Sequence, residues 1–154
     1  MSRSSAQFLR ADNYNGIIAH LNRRDVGFVA ISRAPWDRFE PFKRRMGWSF
    51  KWVSSHANDF NYDYHVSFTP EQQAKGEAYY NYAMHKNTLA ERSGMSVFYR
   101  DAEGAVFHTY SCYAPGLDMM NTAYHHLDLV PKGRDEPELP WPMAWVRYRD
   151  EYRT

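Results

Sequence analysis

The feature that most limits the possible folds is a nearly continuous apolar run, VGFVAI at residues 26–31. Its length suits a strand, and the lack of polar alternation is typical of a strand covered on both faces, as in a parallel sheet. Helical spacing of apolar residues flanks the run on both sides. The order of helix, buried strand and helix predicts an α/β protein.

Two helices are expected around this strand. The first has Asp12 or Asn13 as its N-cap and runs to about Arg24, where basic residues suit the negative end of the helix dipole. The second begins at Pro35, since proline is favoured as a first helical residue, and its apolar spacing ends at Gly47.

Alternating patterns predict further strands. Aromatic residues alternate with polar ones over residues 48–53 and again over 59–68, which predicts two extended segments with one wet face each. Two more strand-like runs, at 95–100 and 106–113, are joined by the turn-forming residues 101–104. Together these runs predict an antiparallel hairpin.

Two more helices and an irregular connection complete the pattern. The sequence TPEQ at 69–72 supplies the N-cap, first-turn proline and capping-box glutamine of a helix that we expect to continue to about Lys86. Pro115 opens a last main helix, and the four prolines that follow indicate a connection without regular structure. We therefore predict one domain over residues 1–130, followed by a proline-rich connection and terminal element over 131–154.

Composition argues against several kinds of partner. The chain has 154 residues with 19 Lys+Arg against 18 Asp+Glu, so it lacks the basic charge of a general nucleic-acid binder. No apolar run approaches the roughly 20 residues of a membrane span, and the first residues lack the apolar region of a signal peptide. We expect a cytoplasmic protein with neither nucleic acid nor a membrane as its partner.

Short motifs along the chain carry a resemblance to a known family. They are ADNYNG at 11–16, ISRAP at 31–35, KRRMGW at 43–48, HVSF at 65–68, FHTYS at 107–111 and YHHLDL at 124–129. With these motifs, residues 11–136 resemble a bacterial domain-of-unknown-function family whose members are often labelled predicted dithiol-disulfide oxidoreductases. The resemblance implies a thioredoxin-like fold, with three α/β/α layers around a mixed sheet.

The redox motif of that family is Cys-x-x-Cys, placed shortly before the first helix, where the helix N-terminus favours a thiolate. The resemblance places the two cysteine positions at Ser4 and Gln7, and neither side chain can form a thiolate. Cys112 is the single cysteine of the chain, so an intramolecular disulfide cannot form. The dithiol chemistry of the family is therefore not expected here.

The resemblance also implies a central strand just upstream of the motif, and the sequence begins after that strand. Either the chain is a fragment or has a mis-assigned start, or another segment occupies the slot, such as residues 48–53 or a partner chain. A sheet with an open slot exposes hydrogen-bonding edges, so we expect self-association into a homo-oligomer.

Arg33 and Trp36 are the candidate ligand-binding residues. They follow the strand predicted at 26–31, and ligands tend to bind at the carboxyl ends of parallel strands. The two side chains are candidates to flank a pocket, but for Arg33 we favour a plain ion-pair role.

Cys112 is the candidate thiol, and we expect it to be buried and inert. His108 should share its strand face but lie roughly 13 Å away, too far to activate it. The seven histidines show no metal-binding spacing, and the DFNYD sequence at 59–63 lacks the later glycine and glutamate of a calcium loop. We therefore expect no metal and no cofactor.

Two functions of different classes follow from these residues. The first is a non-catalytic binding or assembly module, an oxidoreductase relative without the redox dithiol, whose partner is an unknown protein or a small molecule. The alternative is an active thiol-disulfide or cofactor-dependent oxidoreductase that uses Cys112 or an acquired cofactor.

Overall fold

The structure is a computed structural model that describes residues 5–152. The chain divides into two compact units. The first unit takes the described residues up to His56 together with those from Met119 onward, and the second unit takes Ala57–Asp118. The described strands form three separate two-stranded sheets. A mixed α/β protein is therefore confirmed, whereas the single mixed sheet that we expected is not seen in the described residues.

Short helices and strands alternate along the chain. They are α1 (Ser5–Asn22), β1 (Val29–Ser32), α2 (Trp36–Arg45), β2 (Lys51–Ser54), α3 (Phe60–Asp63), α4 (Pro70–Lys75), β3 (Glu77–Tyr80), β4 (Ala83–Lys86), β5 (Gly94–Arg100), β6 (Val106–Tyr113) and α5 (Thr122–Leu127). Two 3₁₀ helices lie at Ala114–Met120 and Arg149–Glu151. The predicted irregular connection is confirmed, because residues 131–142 contain neither helix nor strand.

In the first unit, β1 and β2 pair in parallel, with Val29 opposite Lys51 and Ser32 opposite Ser54. The parallel arrangement predicted from the apolar run is thereby confirmed. The expected burial of both faces is wrong, because Val29 and Ile31 remain 43% and 38% exposed in a sheet of two strands.

Helix α1 begins upstream of its predicted N-cap, so Asp12 and Asn13 lie within the helix. Their side chains make tertiary contacts instead of capping contacts. Asp12 accepts a hydrogen bond from Trp48 Nε1 at 2.6 Å, and Asn13 accepts one from the Thr122 hydroxyl at 3.0 Å. The capping prediction failed because short polar side chains suit tertiary hydrogen bonds as well as caps.

Helix α2 and the segment after it supply the core of the first unit. The helix starts at Trp36, one residue after the predicted Pro35, and the chain leaves it at Gly47, whose φ of 63° favours glycine. The buried core residues are Met46, Trp48 and Phe50. Aromatic side chains from α2, β2 and the residues before β1 pack around them.

In the second unit, residues 59–68 were expected to form a two-faced strand or an extended loop, and this prediction is wrong for the first part of the range. Phe60–Asp63 form the short helix α3, and at its start Asn58 accepts a hydrogen bond from the Phe60 backbone N–H at 3.1 Å. The carbonyl of Asn61 then accepts two backbone N–H groups from the following loop. Local hydrogen bonds of this kind compete with a strand ladder, so the alternating aromatic residues lie on a helical turn and a tight loop.

Helix α4 starts as predicted, with the capping box between Thr69 and Gln72 present. It ends at Lys75 rather than near Lys86, because Gly76 adopts a left-handed φ of 74° and closes the helix. The chain then forms an antiparallel hairpin of β3 and β4, which the sequence pattern did not predict. The predicted second hairpin, of β5 and β6, is confirmed.

After β6, a 3₁₀ helix and the short helix α5 replace the single helix expected from Pro115. Tyr124 of α5 is buried, and its hydroxyl donates to the Glu136 carboxylate. Trp145 Nε1 donates to the Tyr124 hydroxyl and to the Glu136 carboxylate, each at 3.0 Å. These bonds hold the proline-rich connection in the first unit. The domain boundary expected at residue 130 stays a prediction.

Candidate functional site

A cavity of about 500 Å³ lies in the second unit, and its size is within the range of small-molecule sites. Its walls come from the β3–β4 turn, from β6 and from the start of the following 3₁₀ helix. We call it the hairpin pocket. Its lining residues are Asn81, Tyr82, His108, Thr109, Tyr110, Ser111, Cys112, Tyr113 and Gly116.

A β-bulge in β6 decides which side chains face one another. The pairing of β5 with β6 skips Thr109, which is therefore the extra residue of the bulge. The extra residue reverses the alternation of side chains, so His108 and Ser111 lie on the same face. His108 Nε2 is 2.7 Å from Ser111 Oγ, which in turn is 2.7 Å from Ser96 Oγ.

The same bulge corrects the expected relation between His108 and Cys112. On a regular strand these two residues would share a face, but the bulge places them on opposite faces. Cys112 lies opposite Met95 of β5 and is only 5% exposed. The thiol is therefore buried, and no imidazole of its own strand lies on its face.

His108 acts as a hydrogen-bond donor through Nε2. That atom also lies 3.0 Å from the carbonyl oxygen of Tyr110, and a carbonyl can only accept. We therefore assign the proton to Nε2, so the imidazole cannot take a proton from Ser111 through that atom. The pair lacks the nucleophile–base arrangement of a hydrolase.

Two adjacent residues with positive φ build the opposite wall. Asn81 and Tyr82 have φ values of 52° and 63°, the signs of a type I′ hairpin turn. Asparagine adopts this region readily, whereas a bulky residue there costs of order 1–3 kcal/mol. The Tyr82 hydroxyl donates to the Ser111 carbonyl at 2.9 Å, and its ring meets Tyr113 at 5.6 Å. Contacts with β6 thus hold the strained turn.

The chain turns sharply at the end of β6. Ala114 has a φ of 45°, and its backbone N–H donates to the Tyr80 hydroxyl at 3.0 Å. Gly116 approaches β6 so closely that an added Cβ would lie 3.0 Å from Cys112 Cβ. A larger residue at this position would force the Cys112 side chain to give by a few tenths of an ångström, so the close approach favours glycine.

Among the described residues that line the hairpin pocket, none is an aspartate, glutamate, lysine or arginine. Cys112, by charge repulsion and a hydrogen bond, raises the pKa of the Tyr110 hydroxyl above its usual range. Burial, reinforced by repulsion from Tyr113, raises the pKa of Tyr82 in the same direction. Both hydroxyls are therefore neutral donors and acceptors near pH 7.

A second cavity in the same unit has a volume of about 480 Å³ and a different charge. We call it the acidic pocket. Its lining residues are Asp59, Tyr62, Asp63, His65, Ser67, Phe68, Thr69, Gln72 and Tyr79. The His65 and Tyr79 rings meet edge to face at 4.8 Å.

The two ligand-binding candidates from the sequence lie in the first unit. Arg33 follows β1 and is half-buried, and its carbonyl oxygen is 3.2 Å from His56 Nδ1. Trp36, the first residue of α2, is 54% exposed and meets Phe39 edge to face at 5.0 Å. Neither lines the hairpin pocket or the acidic pocket, so their ligand role stays a prediction.

The resemblance places the two family cysteine positions at Ser4 and Gln7. Ser4 lies outside the described residues, and Gln7 falls within α1. In the part of the chain that the structure covers, no three His, Cys, Asp or Glu side chains come together as metal ligands. None of the described helices combines the length and the apolar character that a membrane crossing needs.

Sequence reasoning missed the pocket residues Asn81, Tyr82 and Tyr110. The first two fell in the helix expected to reach Lys86. The aromatic run around an asparagine, YYNY at 79–82, was a usable signal for a hairpin turn. No comparable signal marks the bulge at Thr109.

The fold and the site define a mixed α/β protein with a pocket rich in hydroxyl groups and a single cysteine, which is buried. The chain belongs to DUF899, a family of bacterial proteins of unknown function whose model matches residues 6–152. No match was found among the curated proteins or among the solved structures. The part of the resemblance that concerns a bacterial family of unknown function is therefore confirmed.

Proposed function

We propose that this protein is a non-catalytic binding module that binds a small molecule in the hairpin pocket. It is a thioredoxin-like relative of dithiol-disulfide oxidoreductases that lacks the dithiol. The observation that carries the proposal is how the pocket is built. A positive-φ turn, a β-bulge and a close glycine contact all meet at one cavity. Irregular backbone of this kind clusters at functional sites, where surrounding contacts hold it in place.

The chemistry of the pocket favours binding over catalysis. Cys112 is 5% exposed and lies on the strand face opposite His108. Ser111 is also buried, and it receives a hydrogen bond from His108 instead of giving up a proton. A serine or thiol nucleophile is activated by an adjacent base, and His108 serves as a base for neither residue.

The alternative, thiol chemistry at Cys112, has one observation in its favour, since Cys112 lines the hairpin pocket. A thiol there can exchange with a disulfide that enters the pocket, releasing one thiol and leaving a mixed disulfide. Insulin reduction by wild type and by Cys112→Ala separates the two proposals. We expect no turnover from either protein, and turnover that disappears with Cys112→Ala would overturn the non-catalytic proposal.

Amide NMR of the full chain with a small-fragment library tests binding directly. We expect fragment-induced shifts to gather on residues 81, 82, 108–113 and 116. Thr109→Trp places bulk in the pocket and should abolish these shifts. Thr109→Ser is the matched control, because it adds no bulk and keeps the hydroxyl that donates to the Val97 carbonyl at 3.2 Å. Shifts that survive Thr109→Trp, or that gather elsewhere, would contradict the proposal.

A further inference from the structure

The chemistry of the hairpin pocket also indicates the class of its ligand. We propose that the pocket binds a neutral, polyhydroxylated ring, the chemistry of a single sugar unit. This inference rests on the proposed function, because it takes the hairpin pocket as the ligand site. Three properties of the lining side chains carry it: their charge, their hydrogen-bonding groups and their exposed rings.

The first property is the absence of ionised carboxylate, ammonium and guanidinium groups from the described lining. A charged ligand would lose part of its hydration on entry and find no opposite charge in return. The acidic pocket of the same unit contains Asp59 and Asp63, so the lack of charge is specific to the hairpin pocket. A neutral ligand is the one that this lining suits.

The second property is the predominance of hydroxyl groups. The hydroxyl-bearing lining residues are Tyr82, Thr109, Tyr110, Ser111 and Tyr113. A hydroxyl both donates and accepts, and the hydroxyls of a sugar have the same dual character. Aliphatic side chains dominate pockets for apolar ligands, yet no leucine, isoleucine or valine is found in the described lining. The Tyr82 and Thr109 hydroxyls already donate to the carbonyls of Ser111 and Val97, so they meet a ligand as acceptors, and a ligand with several hydroxyl donors suits this lining.

The third property is the exposure of two tyrosine rings, Tyr82 at 64% and Tyr110 at 52%. An exposed ring face packs against the C–H face of a saturated ring, while its hydroxyl remains in contact with polar groups. A nucleoside would stack as well, but base edges present fixed donor and acceptor patterns. Asn81 supplies the single side-chain amide of the described lining, so the pocket suits a sugar better.

Amide NMR titration of the full chain tests this ligand class. The probes are the methyl glycosides of glucose, galactose, mannose and N-acetylglucosamine, together with adenosine and phenol. We expect at least one glycoside to shift the amides of residues 81, 82 and 108–113, with a Kd of order 1 mM for so open a site. Adenosine and phenol should leave these amides unchanged at the same concentration.

Variants of two similarly exposed tyrosines, Tyr110 and Tyr99, test whether the glycoside contacts the Tyr110 ring. Tyr110→Ala removes a ring face and should weaken glycoside binding about tenfold, and Tyr110→Phe, which keeps the ring, about threefold. Tyr99→Ala is the matched control, because Tyr99 is 59% exposed on the same hairpin but does not line the pocket. Its affinity should equal that of the wild type.

The outcomes separate the ligand class from the proposed function. Adenosine or phenol binding at the pocket, with no glycoside binding, overturns the sugar proposal and supports the binding function. If neither the probes nor the fragment library shift the pocket amides, both the sugar proposal and the proposed binding function are overturned. Glycoside binding that Tyr99→Ala weakens as much as Tyr110→Ala does also overturns the proposed contact.

Discussion

The hairpin pocket and the acidic pocket have nearly equal volumes, about 500 and 480 Å³, but they are built in different ways. The acidic pocket includes a regular feature, the capping box between Thr69 and Gln72. The hairpin pocket depends on a positive-φ turn and a β-bulge. Local sequence rules describe the first site, whereas contacts between distant strands determine the second.

The two pockets also differ in charge. Asp59 and Asp63 are four residues apart, a spacing at which like charges on a helix repel each other. Neither lysine nor arginine is among the described residues that line the acidic pocket. Because the described lining of the hairpin pocket holds no aspartate, glutamate, lysine or arginine, a cationic ligand suits the acidic pocket better than the hairpin pocket.

The largest difference between the pockets should appear when adjacent tyrosines of β3 are truncated. Tyr79 lines the acidic pocket and is 41% exposed. Tyr80 is 4% exposed and supports the hairpin pocket through the Ala114 N–H, at 3.0 Å. Tyr80→Ala should lower the free energy of unfolding by about 3–5 kcal/mol, as aromatic truncations in a core do. Tyr79→Ala should cost about 0.5 kcal/mol or less.

Urea unfolding of the purified variants measures these differences. Tyr80→Phe keeps the ring but leaves the Ala114 N–H without its acceptor, so it should cost about 1–2 kcal/mol. If Tyr79→Ala and Tyr80→Ala lower the free energy of unfolding equally, the hairpin pocket does not depend on the buried Tyr80 side chain.

A smaller loss of stability is expected from a substitution in the acidic pocket, and its structural effect should stay in that pocket. Thr69→Ala removes the hydroxyl that accepts the Gln72 N–H at 3.3 Å, and it should lower the free energy of unfolding by about 1 kcal/mol. Thr69→Ser keeps the cap and should restore most of that stability. Amide shifts caused by Thr69→Ala should stay near α4, and shifts at residues 108–113 would contradict the separation of the two sites.

The same substitution has a pH dependence. A hydrogen bond from the Thr69 hydroxyl, followed by one from the backbone, holds the pKa of Glu71 below its usual 4.5. A carboxyl group with a lowered pKa stabilises the folded protein when the pH is above the usual carboxyl pKa. That stabilisation is lost as the pH falls through the lowered pKa. The stability difference between wild type and Thr69→Ala should therefore shrink in acid. A difference that grows in acid would contradict this assignment.

Much of the first unit and one hairpin of the second could be predicted from sequence. The parallel strands, the start of α2 beside Pro35 and the capping box at Thr69 follow from residues close together in the chain. The end of α4 was missed although Gly76 provided a signal, because helical spacing continued beyond the glycine. Local sequence rules therefore located the starts of helices better than their ends.

The hairpin pocket could not be predicted, because its geometry depends on pairing between strands. The bulge at Thr109 exists only in the register of β5 against β6, and it reverses the expected faces of His108 and Cys112. Tyr82 accepts a positive φ because it contacts Ser111 and Tyr113, far along the chain. A single sequence contains no local pattern for such contacts.

The smallest expected effect concerns the ionisation of Tyr110, which no residue of the acidic pocket should influence. Cys112 is the main cause that raises the pKa of Tyr110 above its usual 10.0. A raised pKa adds stability that is complete below the usual value and is lost as the pH rises through the raised pKa. Because the thiol raises this pKa by repelling the phenolate, Cys112→Ala should lower the pKa of Tyr110 and reduce the stability that the protein loses as the pH rises above 10.0.

Tyrosinate absorbance measures this ionisation, and subtracting the titration of Tyr110→Phe isolates the signal of Tyr110. The subtraction is made in the wild-type and Cys112→Ala backgrounds, with Thr69→Ala as the control background from the acidic pocket. The Tyr110 curve should move to lower pH in Cys112→Ala and stay in place in Thr69→Ala. Superimposable curves in all three backgrounds would mean that the thiol does not face the Tyr110 hydroxyl, and the wall of the hairpin pocket formed by Cys112 would then be wrong.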